Sequence, residues 1–172
     1  DEPEFSLRTE AVDAGELLDD IALRFAERAA RLDVALRVAA PADGAAARAE
    51  VDVELFERAI ANLLDNALKF CPPRSAVTLG AAVKGGGVEV SVADDGPGIP
   101  AADLPHLFDR FYQSRSTVAP ATADGGRGLG LAIVKRIAEL HGGDVVVDSA
   151  PGRGTRVVLT VPAAGRRDAG VR

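Results

Sequence analysis

The chain has 172 residues, 47% apolar and 27% charged, which supplies one core and a solvated surface and excludes wholesale disorder. A formal net charge of −6 excludes a general nucleic-acid binder, which needs excess Lys and Arg to neutralise phosphates. A small phosphate ligand held by backbone amides and a local cation remains compatible with it. The lone Cys71 excludes a disulfide framework and a cysteine-built zinc site, and His106 and His141 are not at ligand spacing.

At the start, Asp1-Glu2-Pro3-Glu4 is acidic, carries no signal-peptide core and has no initiator Met. The sequence therefore reads as an excised piece, and a membrane anchor is expected only in a parent protein. No apolar run is long enough to cross a bilayer.

Ala14 to Arg31 is a predicted helix, with Leu17, Leu18, Ile21, Phe25 and Ala29 at three- and four-residue steps and Asp13 as N-cap. Val34 to Val38 reads as a strand and Pro41 to Gly44 as a turn. Val53 to Phe70 is a second helix, capped by Asp52, with Phe56, Ala59, Ile60, Leu63, Leu64 and Ala67 on one stripe. Pro72-Pro73 stops it. Strands at Ala76 to Val83 and Val88 to Ala93 flank Gly85-Gly86-Gly87 as a hairpin.

Asp94 to Arg127 is a long Gly-, Pro- and Asp-rich stretch with an apolar-aromatic island from Leu107 to Tyr112, the composition of a lid or binding loop. Gly128 to Leu140 is a third helix. Val145 to Asp148 and Thr155 to Val161 are strands joined by Pro151-Gly152-Arg153-Gly154, and Ala163 to Arg172 is expected to fray. This order predicts a single α/β domain, a two-layer sandwich in which three helices cover one face of a mixed, mostly antiparallel sheet.

Three segments carry chemistry. Asn62, Asn66 and Lys69 fall on one stripe of the second helix. Asn is a poor helix filler, yet two of them can turn amide oxygens to one point, which suits a hydrated Mg²⁺ that also holds phosphates. Taken alone, the stripe fits an ordinary polar face equally well. Asp94-Asp95-Gly96-Pro97-Gly98-Ile99 follows a strand, so a carboxylate at a pocket floor could accept from the amino group of adenine. Taken alone, it also fits a simple turn. Gly125-Gly126-Arg127-Gly128-Leu129-Gly130-Leu131 runs into a helix start, where free amides favour anions. A flexible hinge would look the same. The sequence lacks the P-loop signature, and its glycine loop comes too late for a dinucleotide fold.

Together and in this order, the segments resemble the catalytic and ATP-binding domain of bacterial sensor histidine kinases, in the wider group that includes gyrase-type and mismatch-repair ATPases. Asn62 to Phe70 looks like the N box, Asp94 to Pro100 the G1 box, Leu107 to Tyr112 the F box and Gly126 to Val134 the G2 box. His141-Gly142-Gly143 and Gly152-Arg153-Gly154-Thr155 match as well, so the resemblance runs from about Val12 to Pro162.

It implies a Bergerat-type sandwich that binds ATP with Mg²⁺. Asn66 would ligate the metal with Asn62 beside it, and Lys69 would touch phosphate. Asp94 would accept the adenine amino group, with Gly96, Gly98 and Ile99 around it and Gly98 packed close to the base. Phe108 and Arg110 would belong to a mobile lid. Gly126, Gly128, Leu129, Gly130 and Leu131 would line the phosphates, and Thr155 would help close the adenine pocket.

In gyrase-type relatives a Glu stands where Asn62 stands, as general base for water. An amide cannot take that proton, which argues for transfer to a histidine over hydrolysis. Asn62 and Lys69 are the residues nearest that chemistry. The G1 box usually reads Asp-Asn-Gly, and Asp95 departs from it. An extra carboxylate near a triphosphate costs affinity unless it faces solvent.

The resemblance implies that the phosphate-accepting histidine lies on a separate dimerisation domain, with a response regulator downstream. His106 and His141 are expected to be structural, His141 at a helix end where the dipole favours a cation. The fragment is expected to be a cytoplasmic, monomeric portion of a membrane-anchored parent, without membrane or nucleic-acid contacts, and with little autokinase activity alone. An anti-sigma-type serine kinase and a degenerate nucleotide-binding docking module are the competing expectations.

Overall fold

The computed structural model describes residues 6–41, 44–109 and 129–165. In chain order these form β1 (Thr9–Asp13), α1 (Ala14–Arg31), β2 (Ala35–Val38), β3 (Arg48–Asp52), α2 (Val53–Phe70), β4 (Ala76–Lys84), β5 (Gly87–Asp94), a 3-10 turn (Ala101–His106), α3 (Leu129–Leu140), β6 (Asp144–Ser149) and β7 (Thr155–Pro162). Five strands make one open sheet in the order β2-β4-β5-β7-β6. Only β2 and β4 are parallel; the other neighbours are antiparallel. These are the five strands predicted from the sequence, and the three helices are the predicted ones.

Alternation explains the inner face. Val88, Val90 and Val92 of β5, and Val157, Leu159 and Val161 of β7, point into the core because every second side chain shares a face. The helices cover that face with their apolar stripes. Phe56, Ile60 and Leu64 of α2 and Leu18 and Ile21 of α1 are almost wholly excluded from water. Truncating one such Leu to Ala typically costs about 2–5 kcal/mol.

The sequence reading misses β1 and β3, which pair antiparallel as a separate two-stranded ribbon. A signal was present: Ala47, Ala49 and Val51 are buried at alternate positions just before α2. Each ribbon strand runs into a helix without a loop. Asp13 ends β1 and accepts from the Glu16 amide at 3.2 Å, while Asp52 ends β3 and accepts from the Leu55 amide at 3.3 Å. Ala163 and Ala164, where fraying is expected to begin, are tied to the ribbon, and the tail from Arg166 lies outside the described residues. Ala163 bridges Ala49, and the Ala164 amide donates to the Arg48 carbonyl at 2.9 Å.

His141 closes the same corner. It is buried, its Nδ1–H donates to the Ile137 carbonyl at 2.8 Å, and its Nε2 accepts from the Asp52 amide at 3.0 Å. The structural role expected of His141 takes this form: Nε2 serves as an acceptor and pins the end of α3 to the start of α2. Gly143 beside it has no room for a Cβ, which would overlap the Thr160 carbonyl.

Candidate functional site

At one end of the helix-covered face, three polar side chains form a row across adjacent strands. Asp94 of β5 stands opposite Thr155 of β7, and Thr155 stands opposite Ser149 of β6. Directly opposed residues share a face, and by alternation this is the face of Val92, Val157 and Val147. The row thus continues the core outward, where polar groups replace valines.

Asp94 holds its place through backbone amides. Its Oδ1 accepts from the Gly96 amide at 2.8 Å, and the Thr155 amide also faces the carboxylate. Burial pushes the carboxyl above the usual Asp range, these amides pull against that, and the Asp95 charge adds to it. Cys71, the C-cap of α2, lies against the same carboxylate. Its thiol is pushed up to about 11, first by burial and next by the Asp94 charge, so it stays protonated at neutral pH. A Cβ on Gly96 would stand 3.0 Å from Asp94 Oδ1 and 3.4 Å from Cys71 Sγ, so this glycine keeps the floor open.

Asp95 is accounted for. It is exposed, and its Oδ1 accepts from the Ala76 amide at 2.8 Å, at the start of β4. The charge that departs from the usual G1 box is spent on backbone and turned to water.

The loop after Asp94 is locked onto the β6–β7 turn. The Gly152 amide donates to the Pro97 carbonyl at 2.8 Å, and the Ile99 amide donates to Ser149 Oγ at 2.8 Å. Gly98 has φ +81°, and a Cβ there would overlap the Ala150 carbonyl. Gly98 thus has a steric reason within the protein, beside the expected one of approaching a base. Gly154 has φ +78° and packs as tightly on the Asp94 carbonyl.

Asn62, Asn66 and Lys69 are half-buried on α2, the helix that ends at Cys71. The Asn62 Nδ2 is buried and has no hydrogen-bond partner among the described residues. A buried amide without a partner costs about 1–3 kcal/mol, which a ligand oxygen would recover. Asp65, in the same segment, is taken up by Arg28 of α1 at 2.6 Å.

Phe108 and Leu131 pack against the rim of the core, and the Lys135 ammonium lies 5.4 Å from the Phe108 ring centre. Arg110, Gly126 and Gly128 lie outside the described residues; Leu129 and Gly130 are the first residues of α3. The sequence reading missed Ser149, Cys71 and the buried Asp103. Cys71 could have been found as the residue that follows the Asn stripe out of its helix. Ser149 gave no local signal.

Among the described residues no group of three His, Cys, Asp or Glu side chains could hold a metal ion. Asn62 and Asn66 on α2 offer amide oxygens, a ligand type suited to a metal that keeps water and other oxygens in its shell. No helix among the described residues is long and apolar enough to cross a membrane.

The sequence profile of the histidine kinase-, DNA gyrase B- and HSP90-like ATPases matches residues 51–165. The sensor-like histidine kinase SenX3 of Mycobacterium tuberculosis is 36% identical over 152 residues, covering 88% of this chain and 36% of SenX3. The chain thus spans about a third of the length of that relative. The solved structure of the mycobacterial sensor histidine kinase MprB is 32% identical with a TM-score of 0.73, covering 91% of this chain and 98% of that one. Full-length ShkA in complex with AMPPNP is 31% identical with a TM-score of 0.78, covering 93% of this chain and 32% of that one.

Proposed function

The chain belongs to the histidine kinase-, DNA gyrase B- and HSP90-like ATPase family, among the sensor histidine kinases, and on that premise we propose that it binds Mg²⁺-ATP as the phosphoryl donor to a histidine on another domain. The observation that carries this reading is the pairing of an amide-held, partly buried carboxylate, Asp94, with the orphaned amide of Asn62 on the helix leading to it. An acceptor at the pocket floor suits the adenine amino group. A donor without a partner suits a phosphate oxygen.

Asn66 would hold the Mg²⁺, which supplies neutralisation of the developing charge on the phosphates. Asn62 fits a donor to phosphate, and Lys69 adds a cation on the same stripe. Thr155, beside Asp94, closes the base pocket, with Gly96, Gly98 and Ile99 shaping its rim. Phe108, Arg110 and the segment from Gly126 to Leu131 would cover the phosphates.

No side chain of the Asn stripe can deprotonate water, so the site favours a nucleophile that needs no base. A neutral imidazole nitrogen meets that need. It bonds to the γ-phosphorus as the bond to the β–γ bridging oxygen breaks, ADP departs, and the ring loses a proton to solvent. The acceptor belongs to a dimerisation domain of the same receptor, with a response regulator downstream, in a parent anchored in a membrane. The likeness to sensor histidine kinases favours this over an anti-sigma-type serine kinase.

Calorimetric titration with ADP and AMPPNP, with and without Mg²⁺, tests the reading. Binding that Mg²⁺ strengthens, followed by γ-phosphate transfer from ATP to a supplied histidine-bearing helical hairpin, is expected. Binding without transfer would leave a nucleotide-dependent docking module, and absence of binding would remove the nucleotide altogether.

A further inference from the structure

Ser149 stands outside every motif that pointed to the site, yet its hydroxyl makes three contacts of 2.8 Å, to the Ile99 amide, the Gly154 carbonyl and the Thr155 hydroxyl. A hydroxyl has one proton and two acceptor positions. The Ile99 amide can only donate, and the Gly154 carbonyl can only accept. All three bonds are made together in one arrangement alone. Ser149 gives its proton to Gly154 and accepts from Ile99, and Thr155 then donates its own proton to Ser149. The Thr155 oxygen is left with lone pairs only, beside the Asp94 carboxylate.

We propose that Ser149 is a positioning residue of the base pocket: its one hydroxyl clamps the loop after Asp94 onto the last hairpin and fixes the Thr155 hydroxyl as an acceptor. The inference rests on the nucleotide reading of the site and deepens it. Three features make the link specific. The row Asp94, Thr155, Ser149 spans three neighbouring strands, so a change at Ser149 reaches Asp94 through one residue. Ile99 is the residue at which the loop leaves Asp94 for the 3-10 turn, so its amide sets where the pocket rim begins. At Gly98 and Gly154 a Cβ would overlap the Ala150 and Asp94 carbonyls, so the backbones that Ser149 bridges are packed directly against one another.

A double-mutant cycle on the whole chain tests it, read as ADP affinity by calorimetry. Ser149→Ala and Thr155→Val should each weaken ADP about two- to tenfold, the loss of one neutral hydrogen bond. The double variant should bind no worse than the weaker single variant, because the two hydroxyls act as one unit. Ser149→Thr, which keeps a hydroxyl, should restore affinity to within about twofold. A purely structural role would lower the melting temperature without this non-additivity or this rescue. If Ser149→Ala melts below the assay temperature, Ser149→Cys keeps the shape, weakens all three bonds and takes its place in the cycle. Unchanged ADP affinity in the serine variant, or losses that add in the double variant, would overturn the proposal while nucleotide binding stands. Failure of the unmodified chain to bind ADP would instead remove the nucleotide reading itself.

Discussion

Two polar knots tie the helices to the strands, and they are finished differently. At the His141 corner every polar atom is consumed within the protein: Nδ1 by Ile137, Nε2 by Asp52, and the Asp52 carboxylate by the Leu55 amide. At the Asp94 row the protein stops short. Asp94 is held by backbone amides on one side and Thr155 keeps open lone pairs, while on α2, outside the row, Asn62 keeps a buried donor without a partner among the described residues. A closed knot spends its hydrogen bonds on stability. On the proposed reading, an open one leaves donors and acceptors for the nucleotide.

The sharpest break of this contrast is Asp94→Ala. Losing a charged hydrogen bond costs about 1.5–3 kcal/mol, so the ADP affinity of the folded fraction should fall about ten- to a hundredfold, whatever the Gly96 amide left unpaired takes from the melting temperature. Calorimetry beside a thermal melt reads both; a variant that still binds would take the adenine contact away from Asp94. His141→Ala should do the opposite. Leaving the Asp52 amide and Ile137 carbonyl unpaired should cost about 1–3 kcal/mol in urea unfolding, with ADP affinity unchanged for the folded fraction. A loss of affinity there would mean that the two knots are coupled.

Acidity separates them further. Burial lifts the Asp94 carboxyl above the ordinary Asp range, so the fold holds that proton more tightly than the unfolded chain does. This contribution to stability is full below the ordinary range and is lost as pH rises through the raised value. On the proposed reading, ADP binding needs the charged carboxylate and should run the other way, gaining as pH rises through the raised value. As pH rises from the ordinary Asp range, the Asp94 contributions to melting and to titration should therefore move in opposition, and Asp94→Asn should remove that contribution from both curves. The smallest effect is expected at Asn66. Asn66→Ala should leave Mg²⁺-free ADP binding within about twofold and remove its enhancement by Mg²⁺. Equal losses with and without the metal would count against ligation there.

Much of this was legible in the sequence for physical reasons. Long apolar periodicity fixes α1 and α2, and both Asp caps are local chemistry. The five sheet strands announce themselves by alternation and flanking turns. The Asn stripe and Asp94 stood out only in combination, since each alone fits a polar face or a turn and it is their order along the chain that carries the resemblance. The ribbon was not legible, since β1 and β3 are short and pair only after α1 and β2 have intervened. Ser149 was not, because its role comes from register: it stands opposite Thr155, which stands opposite Asp94, and nothing within a few residues of Ser149 says so. The acceptor role of His141 depends on a contact with Asp52 from far along the chain.

The row across β5, β7 and β6 also has a history in time. The β4–β5 and β6–β7 hairpins are local and can close on their own, within microseconds by the usual timescale of hairpins. The β5–β7 pairing joins residues separated by the whole stretch from Asp94 to Thr155, and its entropic cost of closure must be met before any contact rewards it. Ser149 and Thr155 are brought together inside one hairpin, whereas Asp94 must be brought to them from another. On the proposed reading, the nucleotide would sit against a seam of the sheet that local pairing cannot build, and its binding would report that this seam is closed.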